Sequence, residues 1–137
     1  MVNFGPPDSV PERFRGRQLY AHNPSVTLMR TTPAECALLG RRIAERVRGM
    51  WAEGTRVEVW VPRGGVSALS VRGAPFWDAE ADEALFRALA DGLRDGEGKG
   101  EGIRLVEDDR DVNDEGFVRA MVMRLVEMVG MEPLEKR

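Results

Sequence analysis

Arg56-Val57-Glu58-Val59-Trp60-Val61-Pro62 is the stretch on which the fold turns. Apolar and polar side chains alternate along it, the period of a strand. Pro62 closes the strand, because proline has no N–H to give to a sheet ladder. On either side the pattern is helical. Upstream, Thr32-Pro33-Ala34-Glu35 has the form of a capping box with proline at the first helical position. The Thr32 hydroxyl can accept from the Glu35 backbone N–H, and the Glu35 carboxylate can reach back. Cys36, Leu39, Ile43, Val47 and Met50 then recur at steps of three or four, which predicts a helix over 33–51. Downstream, Asp78 caps a second helix over 79–94, with Leu85, Phe86, Leu89 and Leu93 on one face.

Further out the same alternation continues. Residues 1–16 read as mostly irregular, with an edge strand at Val2–Phe4, and Arg17–Ala21 reads as a short strand. Asn23 to Thr31 reads as a polar, proline-bearing loop. Past the second helix, Asp95 to Gly102 is a Gly- and charge-rich connector, and Ile103-Arg104-Leu105-Val106 is a further strand. An acidic loop from Asp108 to Asp114 ends in a cap, Asn113 or Asp114, for a helix over 115–129. Val118, Val122, Leu125 and Val129 align on that helix, Gly130 stands at its C-cap, and 131–137 is a frayed tail. The order strand, helix, strand, helix, strand, helix predicts a single α/β domain over 1–137. Its sheet is mainly parallel, in three layers, a Rossmann-like half-domain. A sheet so thin leaves edges and faces to manage, so another lobe or a second subunit is expected to complete it.

Composition narrows the function classes. A net charge of −3 over 137 residues gives no basic footprint for nucleic acid or an anionic membrane surface. No apolar run approaches the ~20 residues that span a bilayer. The first residues have neither a basic segment nor a long apolar one, so the expectation is a cytoplasmic protein. Cys36 is the sole cysteine, which excludes an internal disulfide and a thiolate metal cluster.

In α/β sheets, ligands collect where the strands end at their carboxyl side. Three loops are expected there: 22–31, 63–77 and 107–113. The first offers His22, Asn23, Thr27 and Arg30 as a clamp for a polar or anionic metabolite, since arginine presents a planar fork to carboxylate or phosphate. Against this stands local backbone bonding by Asn23 and Thr27 and an ion pair at Arg30. The second offers Gly64, Gly65 and Ser67, where glycines let a backbone approach an oxyanion. It lacks the Lys-Ser or Lys-Thr pair of a phosphate loop, and a tight turn explains the glycines equally well. Gly96-Glu97-Gly98-Lys99-Gly100 precedes a strand instead of following one, so it reads as a connector. Glu107, Asp108, Asp109, Asp111 and Asp114 lack the spacing of a calcium loop and read as a solvated loop with a helix cap. Phe76 and Trp77 either wall a pocket or anchor their loop on the core or on a partner.

Several of these motifs occur together in a known family. His22-Asn23-Pro24, Val26-Thr27-Leu28-Met29-Arg30-Thr31-Thr32 and Glu35, then Gly64-Gly65-Val66-Ser67, Pro75-Phe76-Trp77-Asp78, and Asn113-Asp114 with Phe117 appear in order. So arranged, they resemble the carboxyl-terminal lobe of the ATP-binding family typified by the tomato mosaic virus resistance protein. The resemblance implies a two-lobed α/β protein whose nucleotide-binding motif lies in an amino-terminal lobe. On that view this chain alone carries no cofactor, and ATP enters only through the other lobe. His22, Asn23, Thr27, Arg30, Gly64, Gly65 and Ser67 match the family motifs and would face the cleft between lobes. The expected function is thus a ligand-binding lobe for a polar or anionic small molecule, with the amino-terminal lobe or a homo-oligomer as partner. Two alternatives stand beside it. One is a small enzyme with Arg30 as anion clamp and His22 in proton transfer. The other is an interaction and assembly domain without catalysis.

Overall fold

A computed structural model describes residues 1–94 and 102–130. The strands are β1 (Val2–Phe4), β2 (Leu19–Asn23), β3 (Val26–Met29), β4 (Val57–Pro62) and β5 (Ile103–Asp108). The helices are α1 (Pro33–Met50), α2 (Ala79–Arg94) and α3 (Glu115–Val129). Single 3-10 turns at Pro7–Ser9 and Glu12–Phe14 interrupt the irregular amino-terminal segment. The chain is α/β as expected, and β3-α1-β4-α2-β5-α3 keeps the alternation of strand and helix.

The expected edge strand Val2–Phe4 is present as β1, and the strand read at 17–21 is present as β2, but the arrangement of the first strands departs from expectation. The segment read as a polar loop supplies a tight turn and β3, so that β2 and β3 form an antiparallel hairpin, and β1 adds antiparallel to the other edge of β3. These three make a sheet of their own, ordered β1-β3-β2, while β4 and β5 form a separate parallel pair. The parallel arrangement therefore holds for β4 and β5 alone. The cause lies in Val26-Thr27-Leu28-Met29, whose β-branched and apolar residues favour a pleated surface. Alternate burial follows, with Thr27 and Met29 inward. At the hairpin tip Asn23 Oδ1 accepts from the Ser25 N–H at 2.9 Å, so the asparagine and Pro24 that suggested a loop shape a tight turn.

Around β4 and β5 the layers are as expected. Val59 and Val61 project from one face into a cluster with Ala44 of α1 and Phe86 and Leu89 of α2. Glu58 and Trp60 project to the other face. There Trp60 meets Phe117 of α3 edge-to-face at 6.2 Å, and Glu58 accepts from Arg124 Nε at 2.8 Å. Two helices on one face and one on the other make three layers.

The caps set the helix ends. Thr32 and Glu35 form the reciprocal capping box on α1. Asp78 Oδ1 accepts from the Ala81 N–H at 2.9 Å, Asp114 accepts from Gly116 and Phe117, and Gly130 closes α3 with φ 70°. All of the connector but Gly102, residues 95–101, and the tail 131–137 lie outside the described residues.

Helices α1 and α2 touch through small residues. A Cβ on Gly40 would stand 2.5 Å from the Leu85 carbonyl oxygen and 2.9 Å from the Leu89 nitrogen. One on Gly92 would stand 2.7 Å from the Ala44 Cβ. These contacts advance in the same direction along both helices, so the two run parallel, as consecutive crossover helices must. Gly40→Ala therefore drives a methyl into backbone that cannot yield. Overpacking of about 1–3 kcal/mol outweighs the ~1 kcal/mol that alanine gains as a helix former. Gly49 lies in the same helix with nothing near its Cβ position. Gly49→Ala is expected to raise the urea midpoint slightly while Gly40→Ala lowers it.

The same packing explains which apolar stripes are buried. On α2, Phe86 and Leu89 are buried as expected. On α1 the inward face is Cys36, Gly40 and Ala44, and the larger Leu39, Ile43 and Met50 lie exposed.

Candidate functional site

The first candidate group divides. His22 and Asn23 lie at the tip of the β2–β3 hairpin, both exposed. Arg30 lies past the other end of β3, where its N–H bonds the Gln18 carbonyl. Gln18 directly precedes β2 and His22 lies four residues further along it, which separates them by about 13 Å of extended chain. The geometry does not bring His22 and Arg30 together for proton transfer beside an anion clamp. The tilted ring of Tyr20, 6.4 Å away, is the aromatic neighbour of His22.

Arg30 is 6% exposed, and its Nη2 donates to Asp82 at 2.6 Å and to the Asp78 carbonyl. Both acceptors belong to the start of α2. The guanidinium charge is thus met inside the protein, and it fastens the end of β3 to α2. Thr27 is buried on β3 itself, and neither its Oγ1 nor the Arg30 Nε bonds another group among the described residues. Asp82 escaped the sequence reading, yet its signal was present: it stands on the face of Phe86 and Leu89, and an acid on an apolar helix face asks for a buried partner.

The junction of β3 with α1 is tied separately. Arg17 donates to the Arg30 carbonyl at 3.0 Å and, through both terminal nitrogens, to Glu35 at 3.1 and 2.6 Å. The Arg17 hydrogen bonds, joined by the Thr32 N–H, hold the Glu35 carboxyl down at about 2.

Gly64, Gly65 and Ser67 occupy the rim where β4 and β5 end. The parallel register runs from Val57 opposite Ile103 to Pro62 opposite Asp108 and continues as a bridge between Gly65 and Asp111. The Gly64 N–H donates to the Arg110 carbonyl, the Gly65 N–H to Pro62, and the Gly65 carbonyl accepts from Val112. Both glycines are required by the backbone. A Cβ on Gly64 would stand 2.6 Å from the Asp109 oxygen, and Gly65 has φ 147°. Their amides are thus spent on the turn. Ser67 accepts from the Leu69 N–H, and its own N–H is held by Ser70, which is 1% exposed.

Charged groups rim this ledge. Arg63 donates to Glu83 at 2.6 Å and Glu107 at 3.3 Å, and keeps a third of its side chain in solvent. Arg110 clasps Asp108, whose carboxyl is thereby held at about 2. Four of the five acids have partners: Glu107 pairs with Arg63, Asp108 pairs with Arg110, Asp111 accepts from Asn113, and Asp114 caps α3. Phe76 is wholly buried, edge-to-face with Tyr20 at 6.1 Å, so it anchors the 63–78 loop on the first sheet. Trp77 remains half exposed beneath Arg72. An open groove of about 490 Å³ between α1 and α2, lined by Pro33, Ala37, Arg41, Ala84 and Arg87 among others, includes none of the candidate residues.

The carboxyls of Glu35 and Asp108 fix a pH dependence. Each has its pKa depressed in the folded state, from 4.5 for Glu35 and 3.8 for Asp108. Their contribution is complete above those ordinary values and is lost as pH falls from there through about 2. Urea midpoints measured between pH 6 and pH 2 should fall mainly below pH 4.5, and Glu35→Gln should flatten that fall.

Comparisons with known proteins give a consistent picture. The family described as "Uncharacterised protein family (UPF0261) C-terminal domain" matches residues 1–129. A UPF0261 protein of Rhizobium meliloti (strain 1021) is 53% identical over 89 residues, which cover 65% of this chain and 22% of the relative. A UPF0261 protein of Clostridium tetani is 38% identical over 129 residues, 94% of this chain and 30% of the relative. The ToMV resistance protein Tm-1(GCR237) of Solanum lycopersicum is 42% identical over 89 residues, 65% of this chain and 11% of that protein. The chain thus spans less than a third of the length of each of these relatives. Among the described residues no helix is long and apolar enough to cross a membrane.

Proposed function

The chain belongs to the UPF0261 family, whose carboxyl-terminal domain it matches, and from that premise we propose that it is the ligand-binding lobe of a two-lobed α/β protein. The ligand is a polar or anionic small molecule on the rim where β4 and β5 end. One observation carries this reading. Because β4 and β5 are parallel and in register, both strand ends and the starts of α2 and α3 open on the same side, the position at which α/β sheets gather ligands.

On that rim the roles differ from those expected of a phosphate loop. Gly64 and Gly65 shape the ledge without offering amides, and Asp78 and Asp114 already occupy the first N–H groups of α2 and α3. Attraction for an anion therefore rests on Arg63 and Arg110, with Ser67 as a short-range partner. Arg30, neutralised by Asp82, holds the wall behind. The part of the family polypeptide outside this domain closes the other side, and ATP comes into play only there. The protein works in the cytoplasm.

Calorimetric titration with ATP, inorganic phosphate and citrate, on this chain and on the full-length Clostridium tetani relative, tests the reading. Binding at a hundredfold excess over Kd stabilises the folded state by about 2.7 kcal/mol and raises Tm accordingly. Arg63→Ala should weaken binding in this chain. No heat and no Tm shift in either protein would sink the proposal.

A further inference from the structure

Helix α3 is apolar on two sides. Toward β4 it presents Phe117, which is buried, and Arg124, which folds back onto Glu58. Clear of that contact it presents Val118, Val122, Leu125 and Val129, from 41% to 60% exposed. The outward four are spaced four, three and four residues apart, so they form one straight stripe. A helix that borders water on its outer side carries polar residues there, and a helix apolar all round is buried all round. The stripe that the sequence marks as a core face is thus a core face without a core.

We propose that this outer face of α3 is an internal packing surface of the longer family polypeptide, covered by an apolar helix or sheet face from the portion outside this domain. Two facts select that occupant over a second copy of the chain. The relatives are more than three times as long as the stretch they share with it. And the stripe is small: a helix of 15 residues is about 22 Å long, and the strip it presents falls well short of the ~800 Å² per partner of a standard independent interface. A segment on the same polypeptide needs no such area, because the linkage supplies a high effective concentration. The inference shares with the proposed function the premise that this domain works within a longer chain, but it concerns a different surface.

The test uses Val122→Asp with Leu125→Asp in this chain, and aspartates at the two aligned positions of the Clostridium tetani relative, whose match spans α3. In the 137-residue chain the pair replaces exposed side chains, so Tm should stay within a few degrees and the chain should remain monomeric. In the full-length relative the same pair buries two charges, and Tm should fall by roughly 10 °C. An unchanged Tm in the relative overturns the inference. So does an equal fall in the short chain, which would put the stripe to use within this domain, and so does a wild-type dimer that the aspartates dissolve, which would make the occupant a second copy. Failure of anion binding leaves these readouts untouched, so the two proposals stand or fall apart.

Discussion

Asp82→Ala is expected to cost about 3–5 kcal/mol, the effect of removing one member of a buried ion pair. The guanidinium of Arg30 would keep its charge in a site that is 6% exposed, with the Asp78 carbonyl as its remaining acceptor. Against a total stability of about 5–15 kcal/mol this is a large share. Asp82→Asn keeps an acceptor in place and should cost less. The informative variant is the double replacement Arg30→Met with Asp82→Leu. It removes both charges and fills the space, and such exchanges are often neutral or stabilising. If urea melts show recovery in the double variant, the pair is a clasp between β3 and α2. If anion binding is lost at the same time, Arg30 also touches the ligand. A single Arg30→Ala variant cannot separate these two outcomes.

Phe76→Ala is the second large effect, also about 3–5 kcal/mol. Its ring has no exposure and packs on Tyr20, while Gln18 Nε2 donates to the Pro75 carbonyl at 2.6 Å. Together these pin the long loop to the antiparallel sheet. Phe76→Leu retains most of the volume and should recover over half the loss. Trp77→Ala, at a half-exposed position, should cost far less. A flat response to Phe76→Ala in thermal melts would mean that the loop is held elsewhere.

How far the sequence carried the reading depended on what each residue had to say locally. Helix α2 began where Asp78 placed it, and α3 began and ended where Asp114 and Gly130 placed it, because a cap is a short-range hydrogen bond that the sequence states outright. Strand β4 was legible from its alternation. The hairpin was not. Val26 to Met29 is too short for a period to emerge, and Asn23 and Pro24, which serve a turn, look the same in a longer loop. Nor could the sequence reveal that β1, β2 and β3 would leave the parallel sheet, since that choice rests on partners from both ends of the segment.

The site was legible in part for similar reasons. Gly64 and Gly65 stand in the turn where β4 and β5 end. His22 and Arg30 looked like neighbours because a loop has no fixed length, and a strand between them sets them apart. The stripes on α1 and α3 are present as periodicities, but within this domain Leu39, Ile43 and Met50 of α1 and Val118, Val122, Leu125 and Val129 of α3 face outward. Close approach of α1 to α2 goes to the smallest residues, Gly40 and Ala44, which no hydrophobicity pattern favours.

The register of the parallel pair also governs how the chain finds its structure. β2 meets β3 across a two-residue turn, whereas Val57 meets Ile103 only after all of α2 has been threaded between them. Hairpins close in about 1–10 μs, while pairings of distant segments must first meet the entropy of a long loop. The β2–β3 hairpin and the helices are therefore the early events, and the β4–β5 ladder is a late one. Until it zips, Val59, Val61 and Leu105 stay in water, so the interval before β5 docks is when this domain is most open to aggregation and to proteases.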